Sequence, residues 1–325
     1  MRFTPDFKLQ IIEDRQFDEQ ILNVEETLKR HKNSGYFSAF DNTEIYYEYF
    51  LCENARANVV IVHGLSEFTK KFYELSFYLL NQGYNVFLYD QRCHGLSGRL
   101  TKDIQLLHVD SFNDYVADLE QFIDEIIIPV ENKPLYLYSH SMGGAITSLY
   151  LAKNQDKVQK AVLAAPMFQP IVKSVPEYVA RASVRLCKAL IGPKKRFFQS
   201  KNFDPNVQYS AHHGTSEVRF NYNLNLRKGN ENYQSSPMSF SWVLNSLTVK
   251  NTILKDKFIQ KIKTPILIIS AEKDNTVKNE PQRLFAQKCN SCEFLEIGNE
   301  THSLLASNSK TLEYIVRTVL NFYND

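Results

Sequence analysis

The chain has 325 residues, 43% of them hydrophobic and 23% charged, enough for one large globular domain or a domain that carries an insertion. A net charge of +2 gives no argument for nucleic acid, and no apolar run approaches the roughly 20 residues that cross a bilayer. Five cysteines (Cys52, Cys93, Cys187, Cys289, Cys292) form no evident disulfide framework and Met1 to Gln10 holds no signal-peptide stretch, so a cytoplasmic protein is expected.

Residues 1–33 read as a polar N-terminal extension, loosely helical, with Phe17, Ile21, Val24 and Leu28 at spacings of four, three and four. Phe37 to Phe40 and Ile45 to Leu51, joined through Asp41-Asn42, predict an antiparallel hairpin. Three short apolar runs follow, Asn58 to Val62, Asn85 to Tyr89 and Leu135 to Tyr138, each fit for a strand buried on both faces. Helical patterns over Phe72 to Asn81 and Phe112 to Ile128 lie between them, the second opening after the capping pair Asp110-Ser111. Lys160 to Ala165, Pro265 to Ser270 and Glu293 to Ile297 supply three more strands, and Leu304 to Tyr323 a closing helix. Alternation of this kind predicts a mostly parallel sheet with helices on both faces.

Residues 167–249 break the rhythm. They are rich in aromatics and carry eleven Lys/Arg against four Asp/Glu, a net +7 that leaves −5 for the rest. They are read as an inserted cap over the sheet's carboxyl edge, where open α/β folds bind ligands, with residues 1–166 and 250–325 as the core.

The chemistry is concentrated where Leu135 to Tyr138 runs into Ser139-His140-Ser141-Met142-Gly143-Gly144. A strand that turns at once into a helix can hold a serine hydroxyl at the tip of a sharp elbow, the pattern G-x-S-x-G. Gly143 supplies the downstream glycine, and Ser139 stands where the upstream one belongs. A serine hydroxyl needs a base to take its proton, and the base needs an acid to orient it. Asp274, in the loop after the strand ending at Ser270, and His302, after the strand ending at Ile297, complete the order Ser, Asp, His. Glu272 is the alternative acid. The developing oxyanion would meet the Met142 N–H, at the start of the helix, and the Leu65 N–H, in the loop after the first central strand. His63 and His94 are read as loop-shaping residues, and His140 as facing away from the nucleophile because strand side chains alternate. Glu300 is read as a solvated loop residue; His31, His108, His212 and His213 have no supporting pattern. Cys289-Asn-Ser-Cys292 is a lone C-x-x-C, too little for a metal site.

With these residues placed, the chain resembles the α/β-hydrolases of the group that holds lysophospholipases, monoacylglycerol lipases and serine aminopeptidase-like hydrolases. His63-Gly64-Leu65-Ser66-Glu67 resembles that group's H-G-x-x-E oxyanion segment. Asp90-Gln91-Arg92-Cys93-His94-Gly95-Leu96-Ser97 resembles its D-x-R-G-H-G-x-S segment, with Cys93 for a glycine, and Ser139 to Gly144 resembles G-H-S-M-G-G. The resemblance implies an α/β-hydrolase fold, a mobile cap gating an acyl site, and an acyl-enzyme mechanism that needs no metal or organic cofactor.

The cap's cations beside aromatics, Lys194-Lys195-Arg196-Phe197-Phe198 above all, suit a phosphate on the substrate's head group or an anionic membrane at its inner face. The expectation is therefore a serine hydrolase of single-chain lipid esters, lysophospholipid ahead of monoacylglycerol. A general carboxylesterase, an aminopeptidase-type hydrolase and a non-catalytic binding protein are the alternatives.

Overall fold

The computed structural model describes residues 1–154, 156–172, 175–210 and 215–325. Its centre is an eight-stranded sheet in the order β1-β2-β4-β3-β5-β6-β7-β8. β1 (Lys32–Ser38) and β2 (Glu44–Phe50) form an antiparallel edge hairpin, and β2 pairs antiparallel with β4 (Tyr84–Tyr89). From β4 onward, β3 (Ala57–Val62), β5 (Leu135–His140), β6 (Lys160–Ala164), β7 (Ile266–Ala271) and β8 (Cys292–Ile297) are all parallel.

The inner strands are apolar along their length because both faces are covered. Val60, Val62, Leu137, Leu163 and Ile268 point to one face, where they meet α3 (Phe112–Gln121), α5 (Met142–Leu151), α8 (Phe240–Thr248) and α11 (Asn279–Lys288). Their neighbours Val59, Ile61, Tyr138, Val162 and Ile269 point to the other, against α1 (Phe17–His31), α2 (Tyr73–Asn81) and α12 (Ser309–Asn324). The period of two along each strand thus divides one sheet between two cores.

The N-terminal extension differs from the expected loose leader. Phe17, Ile21, Val24 and Leu28 are each at least 96% buried, and Phe3, Ile11 and Ile12 join the same core. β1 also starts five residues before the expected Phe37. Its inward positions before Phe37 are Asn33 and Gly35, so a real edge strand carries little apolar signal there. Ser111 caps α3 as expected, accepting from the Asn113 N–H at 3.1 Å, with Asp114 closing a capping box. The helix then passes through a π turn, Phe122–Ile127, into the short α4 (Ile128–Val130). That shift of register turns Phe122, Ile123 and Ile127 inward together. The closing helix is divided in two: a 3₁₀ turn at Leu304–Ala306, then α12, restarted by the Asn308 side chain accepting from Thr311 N–H.

Between β6 and β7 lie α6 (Glu177–Ile191), α7 (Glu217–Lys228), α8, α9 (Lys250–Ile253) and α10 (Asp256–Ile259). α6 packs on α8, whose Phe240 and Trp242 reach the core beside Phe112. α7 is held differently. Arg219 is buried between Glu74 of α2 and Asp14, donates to the Ile12 carbonyl, and lies 4.7 Å over the Phe17 ring. Tyr222 donates to Glu25 of α1 at 2.6 Å. The N-terminal extension is therefore the strap that fixes α7 to the core. No helix among the described residues is long and apolar enough to cross a membrane.

Candidate active site

The elbow comes from local sterics. Ser141 has φ +53° and ψ −116°, a conformation few non-glycine residues adopt, and its N–H donates to the Ala164 carbonyl of β6 at 3.0 Å. A Cβ on Gly143 would lie 2.0 Å from the Val62 carbonyl oxygen, and one on Gly144 2.6 Å from Pro166 Cβ. Glycine is thus required downstream. Upstream, Ser139 fits because its hydroxyl donates to the Val162 carbonyl at 3.1 Å, so the larger side chain is buried without an orphaned polar atom. Cys93, at the other missing glycine, holds φ +62° and is wholly buried.

Ser141, Asp274 and His302 follow β5, β7 and β8 at the sheet's carboxyl edge. Ser141 Oγ lies 2.8 Å from His302 Nε2, and His302 Nδ1 lies 2.7 Å from Asp274 Oδ2. Asp274 is oriented in turn: its Oδ1 accepts from the Thr276 and Val277 N–H groups at 2.8 and 2.9 Å. With Nδ1–H directed at the carboxylate, Nε2 is the acceptor that faces the serine hydroxyl. Burial pushes His302 below the ordinary histidine range and His140 adds to this, while the Asp274 carboxylate opposes it. Glu272 is exposed and accepts from the Asn299 N–H, away from His302. Glu300, expected in solvent, is buried and accepts from the Ser307 hydroxyl at 2.8 Å.

Among the described residues, neither the Leu65 nor the Met142 N–H donates to any group. The Leu65 loop is supported from below. His63 Nε2 accepts from the Gln91 N–H at 2.9 Å, and burial lowers its pKa to about 4, so the ring stays neutral. His94 lies wholly buried against it, edge to face.

His140 corrects the sequence reading. Strand alternation should turn it from the site, yet Nδ1 lies 2.9 Å from Glu67 Oε2 and Nε2 3.0 Å from the His302 carbonyl oxygen. The positive φ at Ser141 ends the alternation, so neighbouring side chains on either side of the elbow approach the same space. Glu67 also binds Lys71 at 2.5 Å and accepts the Gly64 N–H. Burial alone would raise the Glu67 pKa, but His140 and Lys71 outweigh it and hold the carboxyl well below the usual range. One buried carboxylate thus links the loop of Leu65 to the loop of His302. Glu67 was visible only as the last residue of a motif, and nothing in the sequence paired it with His140.

Cys289, at the end of α11, and Cys292, the first residue of β8, are free thiols, and no group of three or more His, Cys, Asp or Glu among the described residues is arranged to hold a metal ion. His212 and His213 lie outside the described residues.

Two of the cavities among the described residues are lined by α6, α7 and α8. One, of about 560 Å³, is apolar and lies between α6 and α8, lined by Val184, Phe197, Phe240 and Trp242 among others. The second, of about 370 Å³, is lined by Ser66 and Ser303, the residues that follow Leu65 and His302, and by polar side chains of α7.

The profile of the family described as "Serine aminopeptidase, S33" matches residues 53–308. The chain is similar to lysophospholipase L2 of Escherichia coli (strain K12), 29% identical over 266 residues, 79% of this chain and 75% of that one. It is also similar to monoglyceride lipase of Saccharomyces cerevisiae, 32% identical over 129 residues, 37% of this chain and 39% of that one. Among solved structures, a soluble variant of the Saccharomyces cerevisiae monoglyceride lipase in complex with a substrate analog superposes with a TM-score of 0.70, at 18% identity, over 88% of this chain and 93% of that one. The fold is the α/β-hydrolase fold.

Proposed function

The chain belongs to the serine aminopeptidase, S33 family, and on that premise we propose that it is a serine hydrolase of single-chain lipid esters, with lysophospholipids as its preferred substrates. The observation that carries this reading is the relay in which Ser141 Oγ, His302 and Asp274 stand 2.8 and 2.7 Å apart beside two unpartnered amides. His302 Nε2 takes the Ser141 proton as Oγ bonds to the acyl carbon, and the oxyanion accepts from the Leu65 and Met142 N–H groups, each worth roughly 3 kcal/mol of barrier. His302 returns the proton to the leaving glycerol oxygen. Water, deprotonated by the same ring, then releases the fatty acid from Ser141. The apolar 560 Å³ cavity suits the acyl chain, and residues 167–249 act as its cap.

Similarity to lysophospholipase L2 over 79% of the chain supports the phospholipid preference, and the shorter match to a monoglyceride lipase supports monoacylglycerol as the second substrate. An aminopeptidase would need a carboxylate for the substrate amine: of the cap's acidic residues, Glu177 is paired with Lys250 at 2.6 Å, and Asp204, though it lines the second cavity, is exposed and accepts the Asn206 N–H. Turnover of lysophosphatidyl and monoacylglycerol esters against aminoacyl amides tests the assignment. Faster cleavage of the amides than of either ester contradicts it.

Because burial lowers the His302 pKa, the neutral base persists into mildly acidic solution. On an uncharged monoacylglycerol, the acid limb of kcat/KM should therefore have its midpoint below pH of about 6.5. A midpoint above about 7 would mean that the carboxylate, not burial, dominates the ring.

The cap also offers a membrane face. Tyr178, Leu186, Leu190 and Phe198 are each more than half exposed, beside the exposed Lys194, Lys195 and Arg196. Peripheral contact with an anionic bilayer at this face follows from about 1 kcal/mol per cation near it. Changing Lys194, Lys195 and Arg196 together to Gln should weaken binding to anionic vesicles by tenfold or more, on the order of 3 kcal/mol at most. Binding that is unchanged and insensitive to salt removes this part of the reading.

A further inference from the structure

Three arginines of this protein, Arg92 and Arg219 fully buried and Arg227 half-buried, are held in two different ways. Arg92 is bonded to Asp118 and Asp41, and Arg219 to Glu74 and Asp14. Arg227 of α7 pairs with no carboxylate among the described residues. Its Nε and Nη2 donate to the Tyr233 and Ser235 carbonyls, each at 3.1 Å, and its guanidinium lies 4.2 Å over the Phe203 ring. Of its five N–H donors, two are used among the described residues. Burial with no compensating charge lowers its pKa to about 10, which leaves it a cation at neutral pH. An ionised group taken from water without a counter-ion is costly, and such groups tend to find an anion.

The place of this cation gives it a use. Arg227 lines the 370 Å³ cavity together with Ser66 and Ser303, the residues next to the Leu65 amide and the His302 base. Lys71, bound to Glu67, lines it too. Asp204 is the only carboxylate among its described lining residues; it is exposed and accepts the Asn206 N–H. The cavity shares no lining residue with the apolar one between α6 and α8. Phe220, Asn223, Leu224 and Arg227 form the cavity-lining side of α7, and the Arg219 ion pairs fix that helix to the core. The guanidinium is thus presented from a rigid support.

We propose that Arg227 is the anchor of a head-group subsite, its free guanidinium edge binding the phosphate of a lysophospholipid whose ester is presented to Ser141. This rests on the lipid-ester reading above and narrows it. An arginine fork matches the geometry of phosphate oxygens, and Phe203 holds its plane. The subsite distinguishes a phosphorylated glycerol from a plain one, which is the distinction between the two candidate substrates.

The test compares lysophosphatidylcholine with a monoacylglycerol of the same medium-length acyl chain, in wild type, Arg227→Gln and Arg227→Lys. The ratio of their kcat/KM values should fall about tenfold or more in Arg227→Gln, the loss of a charge-assisted hydrogen bond, mostly through KM for the phospholipid. Arg227→Lys should keep most of the preference, since it keeps the charge. Glycerophosphocholine should inhibit wild type competitively and Arg227→Gln less. An unchanged ratio overturns the proposal, as does an equal loss on both esters that lysine fails to rescue, which would make Arg227 structural. Inorganic phosphate that inhibits both esters alike through Arg227, with glycerophosphocholine inert, would assign the site to free anion and overturn it as well. A wild type that cleaves neither ester refutes the lipid-ester reading itself, and with it the subsite.

Discussion

Ser141→Ala is expected to lower kcat on lysophosphatidylcholine by about 10⁶-fold, the scale on which removing an activated serine acts in such relays. The substitution deletes the Oγ that lies 2.8 Å from His302 Nε2 and little else. Alanine has the same Cβ as serine at the positive φ of the elbow, and the Ser141 hydroxyl caps no helix amide, so the fold should be unchanged. The remaining rate would come from the amides and from substrate binding. The check is a pair of measurements, turnover and thermal melting. A variant that melts like wild type and retains more than about a tenth of its activity would mean that another group is the nucleophile.

Asp274→Asn is expected to cost about 10⁴-fold in kcat, and the surroundings of the side chain say why. The Thr276 and Val277 N–H groups both donate to Oδ1, so an asparagine must place its carbonyl oxygen there and turn its NH₂ toward His302. Donation from that NH₂ to Nδ1 forces the proton onto Nε2, the nitrogen that must accept from Ser141. The geometry survives with the wrong tautomer. Steady-state turnover measures this; a loss of less than tenfold would show that His302 is oriented by some other partner, with its carbonyl contact to His140 the first to examine.

The course of the sheet was readable because its strands are buried on both faces and therefore stand out as short apolar runs, Asn58 to Val62 and Ile266 to Ser270 most clearly. Ser141 and Asp274 could be picked out because each follows such a run, so the strand signal also marks the loop, whereas His302 follows the half-exposed edge strand β8 and was placed by its order after them. What escaped has no periodic signal of its own. His140 joins Glu67 across 73 positions and the His302 carbonyl across 162, and Arg219 reaches Asp14 across 205. Such pairings depend on where loops and helices come to lie, and a polar residue on a loop does not announce its partner. The N-terminal extension was underread for a related reason. Its helix shows the right spacing, but the charged residues between the apolar ones mask how completely that face is covered by α2 and α7. Glu300 reads as a solvated residue because loop carboxylates usually are; its partner, Ser307, is seven positions away in the turn before α12.

The fold alone serves many chemistries, so the functional reading stands or falls with the side chain that attacks. Incubation with a long-chain alkyl fluorophosphonate, followed by peptide mass spectrometry, addresses that side chain directly. The phosphonyl mass should appear on the peptide containing Ser141, should be suppressed by lysophosphatidylcholine, and should be missing from Ser141→Ala. An adduct on a different residue, or none on active protein, would contradict the account.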